Sequence, residues 1–238
     1  MERLDKILAN MGFGSRKDIK ISMKKGTVTV NGVVVKDASM KVDPENDTIV
    51  FDGEEVLYRK FIYLMMNKPA GVVSATLDNH DRTVIDLLPF DYTPFDPFPV
   101  GRLDKDTVGL LLITNDGELN HKLLAPKSHV NKVYAVEVEN PVTGADIEAF
   151  EKGILLEDGY RCLPAKLEVI SEDGREVQVT IREGKFHQVK RMFLARDNYV
   201  TYLQRIAFGP LTLDEDLEEG EIRELTEEEV ELLRNAKI

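Results

Sequence analysis

The chain has 238 residues, 42% of them apolar and 31% charged, with a formal net charge of −12. That composition supports one or two domains with a sizeable core and excludes collagen-like, low-complexity and wholly disordered chains. No apolar run nears the ~18 residues that span a bilayer and no charged-then-apolar leader opens the chain, so a cytoplasmic protein with no membrane partner is expected.

Leu4, Ile7, Leu8 and Met11 recur at the spacing of an amphipathic helix, which Gly12 and Gly14 end. Ser15 can cap a second helix, with Asp18 three residues on as an imperfect capping box. Arg16, Lys20 and Lys24 then recur every fourth residue, flanked by Lys17 and Lys25. Like charges at this spacing repel, so the ridge weakens its helix unless an anion neutralises it. Residues 1–41 hold nine Lys/Arg against four Asp/Glu, a net of +5. Such a head either meets a polyanion or is an ordinary solvated surface.

Gly26 breaks the second helix. Val28 and Val30 alternate with threonines up to Asn31-Gly32, which predicts a two-residue hairpin turn before Val33-Val34-Val35. Thr48 to Phe51 reads as another short strand, and residues 54–60 as a linker or edge. Phe61 to Met66 is strand-like and ends at Asn67-Lys68-Pro69-Ala70-Gly71; Val72-Val73 is expected to start a further strand. Residues 89–99 carry Pro89, Pro94, Pro97 and Pro99 among three Phe and one Tyr, too Pro-rich for a helix or a central strand.

A polar loop, Gly101 to Thr107, then feeds the apolar strand Leu110 to Ile113, which closes at Asn115-Asp116-Gly117. Asp104 lies between Arg102 and Lys105 on that loop, a place where a rigid strand can support a catalyst. Arg-Leu-Asp also occurs at Arg3-Leu4-Asp5, where Asp5 is expected to be a solvated acid near a helix start. Lys132 to Val138 alternates as a strand, so Tyr134 reads either as a core residue or as a functional one. Val177 to Ile181 is a strand, Gly184 opens a turn, and Val189, Met192 and Phe193 make a helix stripe with basic groups near its start. The tail from Leu211 holds three Lys/Arg against eleven Asp/Glu, a net of −8. Leu225, Thr226, Glu229 and Val230 carry the staple and capping box of a terminal helix. Cys162 is the single cysteine, and His80, His121, His129 and His187 lack zinc spacing, so no metal site is expected.

The stretch from Arg3-Leu4-Asp5-Lys6 through Ser15-Arg16-Lys17 to Val30-Asn31-Gly32 resembles the S4 RNA-binding domain. Gly101-Arg102-Leu103-Asp104-Lys105-Asp106-Thr107 with Gly109 to Gly117 resembles the signature of the pseudouridine synthases. Asn67 to Gly71, Lys132-Val133-Tyr134 and Glu183-Gly184-Lys185-Phe186-His187-Gln188-Val189-Lys190-Arg191-Met192-Phe193 match further motifs of that family. His187-Gln188-Val189-Lys190-Arg191-Met192, the S4 head and the tail are similar to the RsuA branch, which modifies small-subunit ribosomal RNA.

The resemblance implies an α+β fold: a small S4-type αα-hairpin module over 1–58 and a synthase domain over 59–238 with a mixed, mostly antiparallel sheet and flanking helices. It implies a monomer acting without metal or cofactor on a uridine of 16S rRNA, free or in an assembling particle. Asp104 is the expected nucleophile, at C1′ of the sugar or C6 of the base. Lys190 is the first choice for its cationic partner and Arg191 the second, a phosphate contact being the other reading of Arg191. Tyr134 is expected to stack on the base and help remove the C5 proton, and His187 to be structural. Arg3, Arg16, Lys17, Lys20, Lys24, Arg102, Lys132 and Lys185 form the expected RNA-contacting set, with Lys132 alternatively solvated. The rival readings are the sister branch acting on 23S rRNA, a non-catalytic S4-type assembly factor, and an aspartate-dependent hydrolase. The hydrolase would need a second acid that the sequence does not offer.

Overall fold

The computed structural model describes residues 1–236; Lys237 and Ile238, at the end of the expected 59–238 domain, lie outside the described residues. The chain divides into two compact units: Met1–Ile62 with Pro89–Pro97, and Tyr63–Leu88 with the chain from Phe98 onward.

The first unit opens with β1 (Glu2–Arg3), α1 (Leu4–Asn10) and α2 (Arg16–Lys24). There follow β2 (Val28–Val30), β3 (Val33–Val34), β4 (Lys41–Val42), β5 (Ile49–Phe51) and β6 (Glu54–Glu55). β1 pairs antiparallel with β4, and the others form a sheet in the order β3-β2-β5-β6. Leu4, Ile7 and Leu8 bury against Ile19, Met23, Val28 and Ile49, as the stripe predicts. Ser15 caps α2 and Asp18 returns the bond, so the shorter acid still closes a capping box. Asn31 and Gly32 both have positive φ, 51° and 77°, and join Val30 directly to Val33 in a type I′ hairpin. The proline-rich stretch is more regular than expected. Phe90–Phe95 winds as a 3-10 helix with Pro94 inside it, since short i→i+3 turns tolerate the fixed φ and missing donor of proline.

The second unit contains β7 (Tyr63–Lys68), β8 (Phe98–Pro99), β9 (Val108–Thr114), α3 (Gly117–Leu124), β10 (Lys132–Val138), α4 (Gly144–Lys152) and β11 (Lys166–Val169). It continues with β12 (Glu176–Ile181), α5 (Gln188–Leu194), β13 (Val200–Phe208), β14 (Leu211–Thr212), β15 (Ile222–Glu224) and α6 (Glu227–Asn235). Its nine-stranded sheet runs β11-β12-β10-β13-β9-β7-β15, with β14 beside β13 and β8 beside β9. β13 and β9 pair in parallel, and the other ladders are antiparallel. The fold is thus α+β with a mixed, mostly antiparallel sheet.

All seven residues of β9 are buried, which accounts for its unbroken apolar run in the middle of the sheet. Val72 and Val73 do not form a strand: Val73 makes one isolated bridge, to Thr83. Thr226 and Glu229 close the capping box of α6, and Arg223 ties Glu229 to Asp214. No helix among the described residues is long and apolar enough to cross a membrane.

Candidate functional site

The loop from Gly101 to Thr107 is pinned from beneath. Ser74, itself buried, donates its hydroxyl to the Leu103 carbonyl and accepts the Leu103 N–H, both at 3.0 Å. Lys68 is fully buried at the end of β7 and donates Nζ to the carbonyls of Thr107 at 2.9 Å and Pro69 at 3.0 Å, with Lys105 O at 3.4 Å. Burial pushes the Lys68 ammonium down to about 8, and the nearby carboxylates of Asp106 and Asp104 oppose the shift. A buried cation shared among carbonyls sets the loop that carries Asp104.

Asp104 is about one-quarter exposed and lies in the wall of a cleft of about 930 Å³. Lys190, from the first turn of α5, places Nζ 3.3 Å from Asp104 Oδ2 and 2.5 Å from Asp106 Oδ1. The Lys190 bond holds the Asp106 carboxyl below its ordinary range. His187 Nε2 stands 3.6 Å from Asp104 Oδ1. His187 stands at the N-cap position of α5 in the left-handed region, φ 48°, and its side chain makes no capping hydrogen bond. The structure therefore brings Lys190, and not Arg191, to Asp104. Arg191 turns to Asp158 Oδ2 at 2.5 Å.

The rim of the cleft is organised by Glu183. Its carboxylate accepts from Tyr160 OH at 2.5 Å, Leu163 N at 2.8 Å and Gln188 Nε2 at 2.7 Å, while Gln188 Oε1 accepts from Lys185 N. The bond to Glu183 pushes the Tyr160 phenol up to about 12. Lys185 lies 4.7 Å over the Tyr160 ring, and Phe186, widely exposed, stacks on His187.

Tyr134, on β10, lines the cleft and is 8% exposed. Arg205 of β13 is its cross-strand partner, which sets both side chains on the same face of the sheet. Lys132 stands two residues from Tyr134 in the same cleft, its Nζ donating to Val130 O at 2.8 Å. Arg102 and Lys185 are exposed at the cleft. In the first unit, Arg16, Lys17, Lys20 and Lys24 are all exposed along α2. Arg3 is not free: it grips Asp5 with Nε and Nη2 at 3.0 and 2.8 Å. Asp5 is 1% exposed, contrary to the expected solvated acid, because the arginine fork supplies the charge and hydrogen bonds that water would. Among the described residues no group of three His, Cys, Asp or Glu is placed to hold a metal ion.

Comparison with known proteins follows the same division of the chain. The family model of RNA pseudouridylate synthases matches residues 62–195, and that of the S4 domain residues 2–49. An uncharacterised RNA pseudouridine synthase of Bacillus subtilis (strain 168) is 51% identical over 97% of this chain and 98% of its own. The ribosomal small subunit pseudouridine synthase A of Vibrio cholerae serotype O1 is 45% identical over 96% of this chain and 97% of its own. A crystal structure of a pseudouridylate synthase aligns at a TM-score of 0.68 and 38% identity, covering 98% of this chain and 100% of that one.

Proposed function

The chain belongs to the RNA pseudouridylate synthase family and carries an S4 domain, and from that premise we propose that it isomerises a uridine of small-subunit (16S) ribosomal RNA, with Asp104 as nucleophile. The observation that carries this reading is the Asp104–Lys190 pair in the wall of a cleft large enough for a nucleotide. Breaking the N1–C1′ bond builds positive charge at C1′, which an adjacent carboxylate can meet by bonding. Lys190 compensates the carboxylate's charge as the site closes over its substrate. One such carboxylate suffices, because the detached base is kept and rejoined through C5 and no water needs activation. Tyr134 offers its ring to stack on the base.

A uridine within folded RNA has to be flipped out, which costs a few kcal/mol. Phosphate contacts from Arg16, Lys17, Lys20 and Lys24 on α2, and from Arg102, Lys185 and Arg191 by the cleft, offset that cost. The first unit serves to grip RNA and the second to carry the chemistry, on a monomer. The choice of the small-subunit RNA is supported by the likeness to small-subunit synthases over nearly the whole chain.

Tritium release from 16S rRNA labelled at uridine C5 tests the reading. Asp104→Asn is expected to lower release by roughly 1,000-fold or more while RNA affinity stays within several fold. Normal turnover by that variant would remove Asp104 from its role. In cells lacking the protein, loss of a pseudouridine from 16S rRNA supports the target; loss from 23S rRNA instead moves it to the sister branch.

A further inference from the structure

The floor of the cleft holds two cations that the chemistry above does not use. Arg205 is 2% exposed. Its Nε donates to the Leu110 carbonyl at 2.7 Å, and its Nη2 has no hydrogen-bond partner among the described residues. Lys132 projects into the same cleft from the neighbouring strand. Both stand over the Phe208 ring, the Arg205 guanidinium 5.0 Å and the Lys132 ammonium 5.5 Å from its centre. Neither is in an ion pair with a carboxylate among the described residues; Glu183, the carboxylate that acts on Lys132 across the cleft, is engaged by Tyr160, Leu163 and Gln188. Burial, and then Arg205 itself, push the Lys132 ammonium down to about 8, with the Glu183 carboxylate opposing the shift.

Two neighbouring cations in a largely apolar floor, neither in contact with a carboxylate, are costly, and an unmatched N–H adds to the cost. The arrangement becomes favourable when an anion enters the cleft. Phosphate is a poor fit to this place, because it would gain nothing from Ile181, Leu203 and Phe208, the apolar neighbours of the two cations. A planar, delocalised anion fits both the charge and those neighbours.

We infer, on the footing of the pseudouridine synthase reading, that Arg205 and Lys132 form the subsite that holds the detached uracil as its monoanion. An Asp104 oxygen bonds to C1′ as the C1′–N1 bond breaks, and the electron pair leaves with the ring, spread over N1, O2 and O4. The two cations face that charge while the ring turns. C5 then bonds to C1′, the C1′–O bond breaks to restore the carboxylate, C5 gives up its proton to a base and N1 takes one. No other reactant is needed. The cations thereby favour cleavage and prevent escape of the base before it is rejoined.

The test uses the full chain, 16S rRNA labelled with tritium at uridine C5 and carbon-14 at C2, and the variants Lys132→Met, Lys132→Arg and Arg205→Met. Lys132→Met is expected to lower kcat about 30-fold with KM within about threefold, and Lys132→Arg to recover most of the loss. Both methionine variants are expected to release free labelled uracil during turnover, which a merely structural role would not produce. If Arg205→Met fails to fold, Lys132→Met decides alone. Calorimetry with free bases gives a readout apart from turnover: 5-nitrouracil, ionised at neutral pH, should bind the wild type about tenfold tighter than neutral uracil, and Lys132→Met should abolish that preference. Wild-type kcat without free uracil, an effect confined to KM, or equal affinity for the two bases overturns the inference. Asp104→Asn in the same assay separates the two levels. Normal turnover by it sinks the parent reading, whereas a silent Asp104→Asn beside a fully active Lys132→Met sinks the uracil subsite alone.

Discussion

Lys190 and Arg191 are adjacent in sequence and opposite in circumstance. Lys190 stands between Asp104 and Asp106, and Arg191 is occupied by Asp158. Removing the first leaves an uncompensated carboxylate pair at the reacting centre; removing the second frees an exposed acid at the margin. Lys190→Met should therefore lower kcat about 100-fold, and Arg191→Met less than about tenfold with its effect in KM, as single-turnover and steady-state tritium release would show. Lys68 has a different signature. Its folded-state value of about 8 lies below the 10.5 of an ordinary lysine, because burial penalises the charge. Between those values the unfolded chain binds a proton that the folded chain lacks, so this group makes stability rise with pH; below about 8 its full cost is present. Lys132, likewise pushed down to about 8, adds a second such group, so urea titrations from neutral pH to pH ~9 should show a slope of at most about 1.4 kcal/mol per pH unit for each of the two lysines in the wild type and a smaller slope in Lys68→Met. At neutral pH the variant should also lose about 2–4 kcal/mol, since the carbonyls of Pro69 and Thr107 lose their donor. An unchanged slope would show that Lys68 is not one of the groups behind it.

At the scale of elements, the parallel junction of β9 with β13 brings the Asp104 loop and the Tyr134–Arg205 face together. Gly109 makes that junction possible. It sits at φ +99°, and a Cβ there would run into the Arg205 backbone. Gly109→Ala is expected to cost about 2–4 kcal/mol in urea unfolding and to lower kcat along with stability, because backbone cannot yield as a side-chain tip can; a fully stable variant would show that the junction can shift. Much of the local structure is legible in the sequence. The stripe of α1, the cap at Ser15, the Asn31-Gly32 turn and the Thr226–Glu229 box all depend on residues close along the chain. Val72-Val73 shows the limit, since whether two β-branched residues form a strand depends on a neighbour supplied from elsewhere. The site divides the same way. Asp104, Tyr134, Glu183 and Lys190 sit in quoted motifs, whereas Ser74 and Arg205 matter through contacts distant in sequence. In Gln204-Arg205-Ile206 the arginine reads as an ordinary polar position of an alternating strand. Only the ladder with β9 and β10 reveals that it is buried.

For the molecule as a whole, a net charge of −12 is compatible with RNA binding because the charge is unevenly distributed. Surface charges farther apart than a Debye length, about 8–10 Å in physiological salt, are largely screened from one another. On α2, Arg16, Lys17, Lys20 and Lys24 are exposed and in no ion pair among the described residues, so the ridge is open to phosphate at the short range that salt leaves unscreened. Arg3 contributes less, being engaged with the buried Asp5. Each phosphate neutralised releases counter-ions and adds about 0.7–0.9 to the slope of log affinity against log salt. Replacing the four ridge cations with glutamine should lower that slope by about 3 and weaken 16S rRNA binding at low salt, while kcat at saturating RNA stays unchanged. Filter binding across a salt series measures the first and tritium release the second. An unchanged slope would assign RNA grip to the cleft residues alone. A fall in kcat at saturation would mean that α2 orders the reacting uridine as well as holding the strand that carries it.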